Sequence, residues 1–386
     1  MTSEKIAGDR FYRPELDVLR FFAFLSVFLA HTLPTNPSSR LTSTIGGLAA
    51  VVFALSRSFL FGLGLFFTLS AYLICELLLR ERTATGAVKV RQFYVRRILR
   101  IWPLYFFAVA CGLVYALLPG SDHSGIAAMA WNAVFMGAWY AVLHGWTQNP
   151  MSPLWSISVE EQFYLFVPWI VKFFSRKWLY AFCLALIVLA NILLVHFGNS
   201  GAKDPTVWAN SLVQFEFFAG GILVSLVLRG GVPGFAIWQR VMLCAGAWLS
   251  WFIACYWLNA MYASSIGEQT PGGWALAGGY GLGVAGAVLL LIAFLGADKR
   301  LLAGWLVYLG RISYGLYVFH FSAIYIVRAL IPKTWPLTAP VSLLKLLLPL
   351  ALTIPMAALS YRYLERPFLR LKKKYSVIES QPLPES

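Results

Sequence analysis

RPELDVLRFFAFLSVFLAHTLP, residues 13–34, decides the class of fold. Its apolar run is close to the ~20 residues a helix needs to cross the hydrocarbon core of a bilayer. Two ionisable side chains interrupt it, Arg20 and His31, eleven positions apart. At about 100° and 1.5 Å per residue, eleven steps come within about 20° of three full turns and rise about 16 Å. Both side chains therefore project from one face, Arg20 near one end of the span and His31 towards the other. Ionisable groups at membrane depth are costly, which makes each a functional candidate. Plainer readings stand beside that one: a snorkelling anchor for Arg20 and a helix-end residue near the interface for His31.

The rest of the chain repeats the pattern. Of its 386 residues, 59% are hydrophobic and 12% charged, against about 25% charged in a soluble domain. Further apolar runs lie near 55–79, 101–118, 126–143, 155–174, 178–197, 210–229, 237–258, 274–296, 305–330 and 340–363. With the first run that makes eleven candidate spans, an odd number that would set the termini on opposite sides. Charge disagrees, because Lys5, Arg10 and Arg13 at one end and Arg366, Arg370 and Lys372 to Lys374 at the other are all basic. Basic flanks stay cytoplasmic. Segment 126–143 is the one expected not to cross, since Trp131, Trp139, Tyr140 and the following Trp146 give it the aromatic character of an interfacial or re-entrant segment. The expected fold is an all-α polytopic membrane domain over residues 1–375 with about ten transmembrane helices. Both termini would be cytoplasmic, with a short disordered tail at 376–386.

Other classes fit poorly. A net charge of +15 would suit nucleic acid, but the basic residues fall in short gaps between apolar runs, as the positive-inside rule has them. Cys75, Cys111, Cys183, Cys244 and Cys255 stand singly in apolar runs. Without ligand spacing, neither a disulfide nor a bound metal is expected. The polar opening, with no small-residue cleavage site after the first apolar run, reads as no cleavable signal peptide.

More polar residues lie within the other runs. In RRILRIWPLYF, Arg97 and Arg100 are three apart and share a helix face. Paired guanidinium groups at a membrane mouth suit a phosphorylated ligand, although topology-setting charge and contact with anionic lipid explain the loop equally well. PLWSISVEEQFYLFVP carries Glu160 and Glu161. Ser158 and Glu161 fit a capping box at a helix start. Glu160 has no such excuse, and its depth matches that of His31, so a carboxylate–imidazole pair across two helices is expected. Such a pair is the usual arrangement for a general base acting on a hydroxyl. Glu216 lies inside a later run, in a structural or functional role. Ser313, Tyr317 and His320 recur along one face in RISYGLYVFH, lining a polar channel or making ordinary interhelical hydrogen bonds.

Seven strings in order, RPELDVLRFFAFLSVFLAH, FFTLSAYLI, VRRILRIWPLYF, WSISVEEQFYLFVP, FEFFAGG, ISYGLYVFH and SYRYLERPF, resemble the bacterial integral-membrane acyltransferase family 3 along nearly the whole chain. The resemblance implies a ten-helix inner-membrane enzyme that uses acyl-CoA, most often acetyl-CoA, to acylate sugar hydroxyls of envelope or secreted glycans such as lipopolysaccharide. It puts the family's arginine–histidine motif on Arg20 and His31, its paired arginines on Arg97 and Arg100, and its tryptophan–glutamate motif on Trp155 and Glu160. Ala71 departs from the pattern where glycine is usual, adding a methyl at an expected close helix contact. The hydrolase-like domain of some members is absent from the sequence, so transfer to the acceptor is expected here or on a separate partner.

Together these readings give a mechanism to test. Arg97 and Arg100 hold the CoA phosphates, Arg20 lines the donor path, and His31, oriented by Glu160, deprotonates the acceptor hydroxyl. Trp155, Glu216, Ser313, Tyr317 and His320 line the substrate channel. The competing class is a transporter or flippase of an acylated or glycosidic solute, which buried charges also suit. The lack of evident inverted repeats counts against it.

Overall fold

The computed structural model describes residues 11–33, 48–262, 268–331, 339–375 and 378. The expectations for Lys5, Arg10 and the 376–386 tail lie outside the described residues, apart from position 378. Among the described residues the chain is helical throughout, with no strand. The helices are α1 (Pro14–Thr32), α2 (Ala49–Ser58), α3 (Gly62–Thr85), α4 (Val90–Ala116), α5 (Ser124–Ala133), α6 (Gly137–His144), α7 (Leu154–Phe173) and α8 (Arg176–Ser200). They continue as α9 (Asp204–Trp208), α10 (Ser211–Leu228), α11 (Ile237–Tyr256), α12 (Gly273–Phe294), α13 (Gly304–Arg311), α14 (Ser313–Leu330), α15 (Ala339–Ser360) and α16 (Arg366–Lys372).

Among the described residues, six segments are long and apolar enough to cross a membrane: Ala49–Thr85, Val90–Ala116, Arg176–Ser200, Ser211–Leu228, Gly273–Phe294 and Pro340–Lys372. The protein is thus a multi-pass membrane protein. Helices α1, α7 and α14 fall short of that measure because of the polar residues they carry, among them Arg20, Glu160 and His320. The aromatic segment near 126–143 is broken into α5 and α6 at Phe135, whose φ of 57° lies in the left-handed region. Neither piece, of 10 and 8 residues, approaches the ~20 that a crossing requires.

The basic segments gather at one end of the bundle. Arg80 donates to the Gly230 carbonyl, Arg82 to those of Val171 and Phe174, Arg240 to that of Gly296, and Arg96 to that of Tyr375. At the other end Trp146 donates to Asp204, the Tyr262 hydroxyl donates to the Ala202 carbonyl, and Arg57 pairs with Glu268. Helices α3 and α10 lie deep in the bundle, while α8 and α15 present most of their surface outward. Outward side chains such as Trp178, Leu184, Ile192 and Leu347 suit lipid.

Close backbone approach sets the packing around the site, as small residues do between membrane helices. A Cβ on Gly221 would lie 2.1 Å from the Thr68 carbonyl oxygen and 3.0 Å from the Ala71 Cβ. The extra methyl of Ala71 is therefore accommodated by Gly221 on the facing helix. Gly310 is tighter still, since a Cβ added there would lie only 1.9 Å from the Asp17 carbonyl oxygen. Gly310→Ala should push α13 away from α1 just where Asp17 holds Arg20. Overpacking of this kind costs about 1–3 kcal/mol. We expect a lower melting temperature in detergent, and an unchanged one would mean the two helices separate freely.

Candidate active site

Two cavities flank the middle of α1. The first, about 200 Å³, lies towards the basic end and is lined by Arg20 from α1, Arg97 and Arg100 from α4, Glu160 from α7 and Ser313 and Tyr317 from α14. Arg13, Arg311 and Lys372 add cations to its wall, while Asp17 and Glu365 add carboxylates. Six cations thus face three carboxylates, counting Glu160. Arg20 is held by Asp17 at 2.8 Å. Arg97 has no carboxylate within 4 Å among the described residues. Its guanidinium lies over the Phe93 and Tyr164 rings, at 5.6 and 5.3 Å from their centroids. The Nε atoms of Arg13, Arg97 and Arg311 are buried without a hydrogen-bond partner among the described residues. Unmet guanidinium donors and a cationic excess favour an anionic ligand with several acceptor oxygens.

Spacing explains the sorting on α4. Arg97 and Arg100 face the cavity together, as their three-residue separation requires. Arg96 turns the other way, to Glu81 at 3.0 Å. Glu160 sits beside Ser70 and Tyr164, whose hydroxyls bond each other, with Arg97 and Arg100 as its nearest cations. The capping-box reading of Ser158 and Glu161 is corrected. Helix α7 already begins at Leu154, and the Ser158 hydroxyl donates to Asn132 Oδ1 at 3.3 Å inside the helix. Glu161 instead accepts from Trp102 Nε1 at 3.2 Å.

The second cavity, about 320 Å³, lies at the opposite end of α1 and is lined by His31, Trp155 and Tyr317 together with Trp146, Trp208 and Asp204. The expected His31–Glu160 pair does not form, because Glu160 lines the first cavity and His31 the second. His31 Nδ1 instead meets His320 Nε2 at 3.2 Å. Position within each apolar run placed the two residues level, but α7 and α1 are offset along the bundle. The His320 contact fixes the tautomers. His320 Nδ1 faces the Tyr317 carbonyl, which can only accept, so Nδ1 carries the proton and Nε2 the lone pair. His31 Nδ1 must then donate, leaving His31 Nε2 with a lone pair. A neutral imidazole held this way can take a proton from a hydroxyl.

The two cavities meet at α14. Tyr317 and Leu63 line both. The Tyr317 hydroxyl bonds Ser156 Oγ at 2.6 Å and donates to the Pro153 carbonyl at 3.3 Å. Ser156 lines the first cavity and Pro153 the second. A side chain and one hydrogen bond therefore separate them. Glu216 lines neither cavity; it is fully buried on α10, with Oε1 unpartnered among the described residues.

A family model described as an acyltransferase domain, acyltransferase 3, matches residues 13–360. The chain belongs to this family. The O-acetyltransferase OatA of Staphylococcus aureus strain NCTC 8325 / PS 47 is 25% identical over 404 aligned positions, covering 94% of this chain. A putative O-acetyltransferase of strain MSSA476 is 25% identical and covers 92%. The chain spans only 58% and 57% of the length of these two relatives. No solved structure matches. As an acyltransferase 3 member, the chain keeps its Arg20, Arg97 and Arg100 around one cavity and His31 in the other. The sequence reading missed Trp208 and Asp204, and it took His320 only for channel lining. Asp204 carried one legible sign, as the single acid of its own expected outer loop, 198–209, and nothing in spacing linked it to His31.

Proposed function

We propose that the protein is an O-acyltransferase that moves an acyl group, acetyl foremost, from acyl-CoA to a sugar hydroxyl. The observation that carries this reading is the pair of cavities meeting at Tyr317, one cationic and one holding an imidazole with a lone pair. Arg97 and Arg100 hold donor phosphates at the cationic cavity, and Arg20 lines the path. A cavity of about 200 Å³ admits the pantetheine arm and leaves the nucleotide at its mouth. Displacement of the Tyr317 side chain lets the thioester reach His31. Nε2 of His31 takes the acceptor proton as the hydroxyl oxygen bonds to the thioester carbon. The tetrahedral intermediate collapses, the carbon–sulfur bond breaks, and the proton on His31 passes to the departing thiolate. His320 holds the imidazole in the needed tautomer, the task first assigned to Glu160. Glu160 instead neutralises part of the arginine cluster along the donor path.

The topology that accompanies this reading has ten crossings with both termini and the cationic cavity on the cytoplasmic face of a bacterial inner membrane. The gathering of basic segments at that end supports it. Envelope or secreted glycan would then approach from the other side.

The test is thioester consumption by purified protein in proteoliposomes supplied with acetyl-CoA and envelope glycan extract. Turnover that depends on the extract is the expected result. Movement of a glycoside across the bilayer without thioester loss would favour the transporter or flippase.

A further inference from the structure

The stretch SYRYLERPFLRLKKKY, residues 360–375, follows α15 at the basic end of the bundle. A π-helical turn, Tyr361–Glu365, carries α15 into α16 and on to a last turn that ends at Tyr375. Three faces run along it. Tyr361, Glu365, Leu369 and Lys372 recur every three or four residues, as one side of a helix requires, and line the cationic cavity. Arg96 fixes the far end by donating to the Tyr375 carbonyl at 3.0 Å. One step round from the cavity side stand Arg362, Arg366, Arg370 and Lys374, each four residues from the last. Arg366 is half-buried and the other three are exposed. A further step round, Tyr363, Phe368, Leu371 and Tyr375 are exposed as well. Other arginines at this end are spent on the fold, Arg82 on the Val171 and Phe174 carbonyls and Arg240 on those of Ala293, Leu295 and Gly296. Among the described residues the four cations of the row enter no ion pair, and Arg362 lies over the Tyr363 ring at 5.4 Å.

We propose that this flank binds an anionic phospholipid, its headgroup on the basic row and its acyl chains against Tyr363, Phe368 and Leu371. The one acid of the stretch, Glu365, is turned into the cavity, so nothing on the outer flank offsets the four cations. Guanidinium forks match phosphate oxygens, and clusters of about four to eight cations beside a membrane helix bind anionic headgroups. The apolar strip decides for a lipid over a soluble phosphate. It continues the outward surface of α15, where Leu344, Leu347 and Leu359 are exposed, whereas a soluble anion would use the row and leave the strip to water. A topology signal works by the number of charges near a span, not by the face they occupy, and so leaves the four-residue order unexplained. The headgroup sits on the outside of a wall whose inner side belongs to the cationic cavity. Neither the site nor its ligand depends on the acyltransferase reading.

Native mass spectrometry of the full chain reads the site directly. The protein in detergent is mixed with equal amounts of dioleoyl phosphatidylglycerol and dioleoyl phosphatidylcholine, which share their tails and differ in charge. We expect phosphatidylglycerol adducts to outnumber phosphatidylcholine adducts about tenfold or more. Arg362→Gln, Arg366→Gln, Arg370→Gln and Lys374→Gln combined should bring the two lipids to parity. Arg370→Gln and Lys374→Gln alone should each cut the preference about two- to fivefold. Both side chains are exposed, so these variants keep the test valid if the fourfold one fails to fold. Lys299→Gln with Arg300→Gln removes two exposed cations from another loop at the same end and should leave the preference intact. Excess glycerol phosphate should displace nothing. Equal adducts of the two lipids in the wild type, or an unchanged preference in the variants of the row, would overturn the site. So would an equal loss in the Lys299 and Arg300 variant, which would reduce the effect to charge at large. Loss only in Arg97→Gln with Arg100→Gln would put the headgroup in the cationic cavity instead, and displacement by glycerol phosphate would make the ligand a soluble anion.

Discussion

His31→Ala should lower acyl transfer by about 10²–10⁴-fold, the usual contribution of a positioned general base, while acyl-CoA binding stays at wild-type strength. The separation follows from the two cavities: the arginines proposed to bind donor line one and His31 the other. His320 gives the sharper test, because its role is positional. His320→Gln keeps an oxygen acceptor for His31 Nδ1 and should retain activity within about tenfold of wild type. His320→Phe keeps the bulk, removes the acceptor and should lower kcat with little change in the KM for acyl-CoA. A helix-packing role alone would leave the ordering of these two variants arbitrary. A His31→Ala enzyme that still turns over at wild-type speed would remove His31 as the base.

Much of this arrangement was legible in the chain because helical periodicity carries it. The run at 126–143 was set apart by its Trp and Tyr content, and the break at Phe135 leaves two helices too short to cross. Arg97 and Arg100 share a cavity because three residues nearly complete a turn. Ala71 falls at a close helix contact, opposite Gly221. What failed was the pairing across helices. Depth was judged from position within each apolar run, and that ruler takes all helices to start level. Helix α7 begins at Leu154, before Ser158, so Glu160 falls well inside it and reaches the arginines. The place left beside His31 belongs to His320, on a helix far away in sequence. Periodicity fixes which side chains share a face of one helix; it is silent on which faces meet. The lining of the second cavity draws on α7, α9, α12 and a loop, and only packing brings such parts together.

Arg97→Ala and Arg100→Ala should each raise the KM for acyl-CoA by roughly ten- to a hundredfold, as loss of a charge-assisted contact worth about 1.5–3 kcal/mol implies. Saturating turnover should change far less, since neither residue lines the cavity that holds His31. Arg→Lys at either position should not restore the wild-type value, because an ammonium cannot reproduce the planar fork that grips two phosphate oxygens. The effect should also shrink as salt is raised, for part of the attraction is screened at the cavity mouth. A competing account makes these arginines topology signals for membrane insertion. Arg91 separates the two accounts, being an exposed arginine on the same helix that lines neither cavity. A purely topogenic role predicts that Arg91→Ala and Arg97→Ala both lower the amount of inserted protein and that the survivors bind donor normally. A donor site predicts normal amounts for all three variants and a raised KM for Arg97→Ala and Arg100→Ala alone. The free Nε of Arg97 inclines the balance to the second outcome. A guanidinium already committed to a carboxylate would have little left to offer a phosphate.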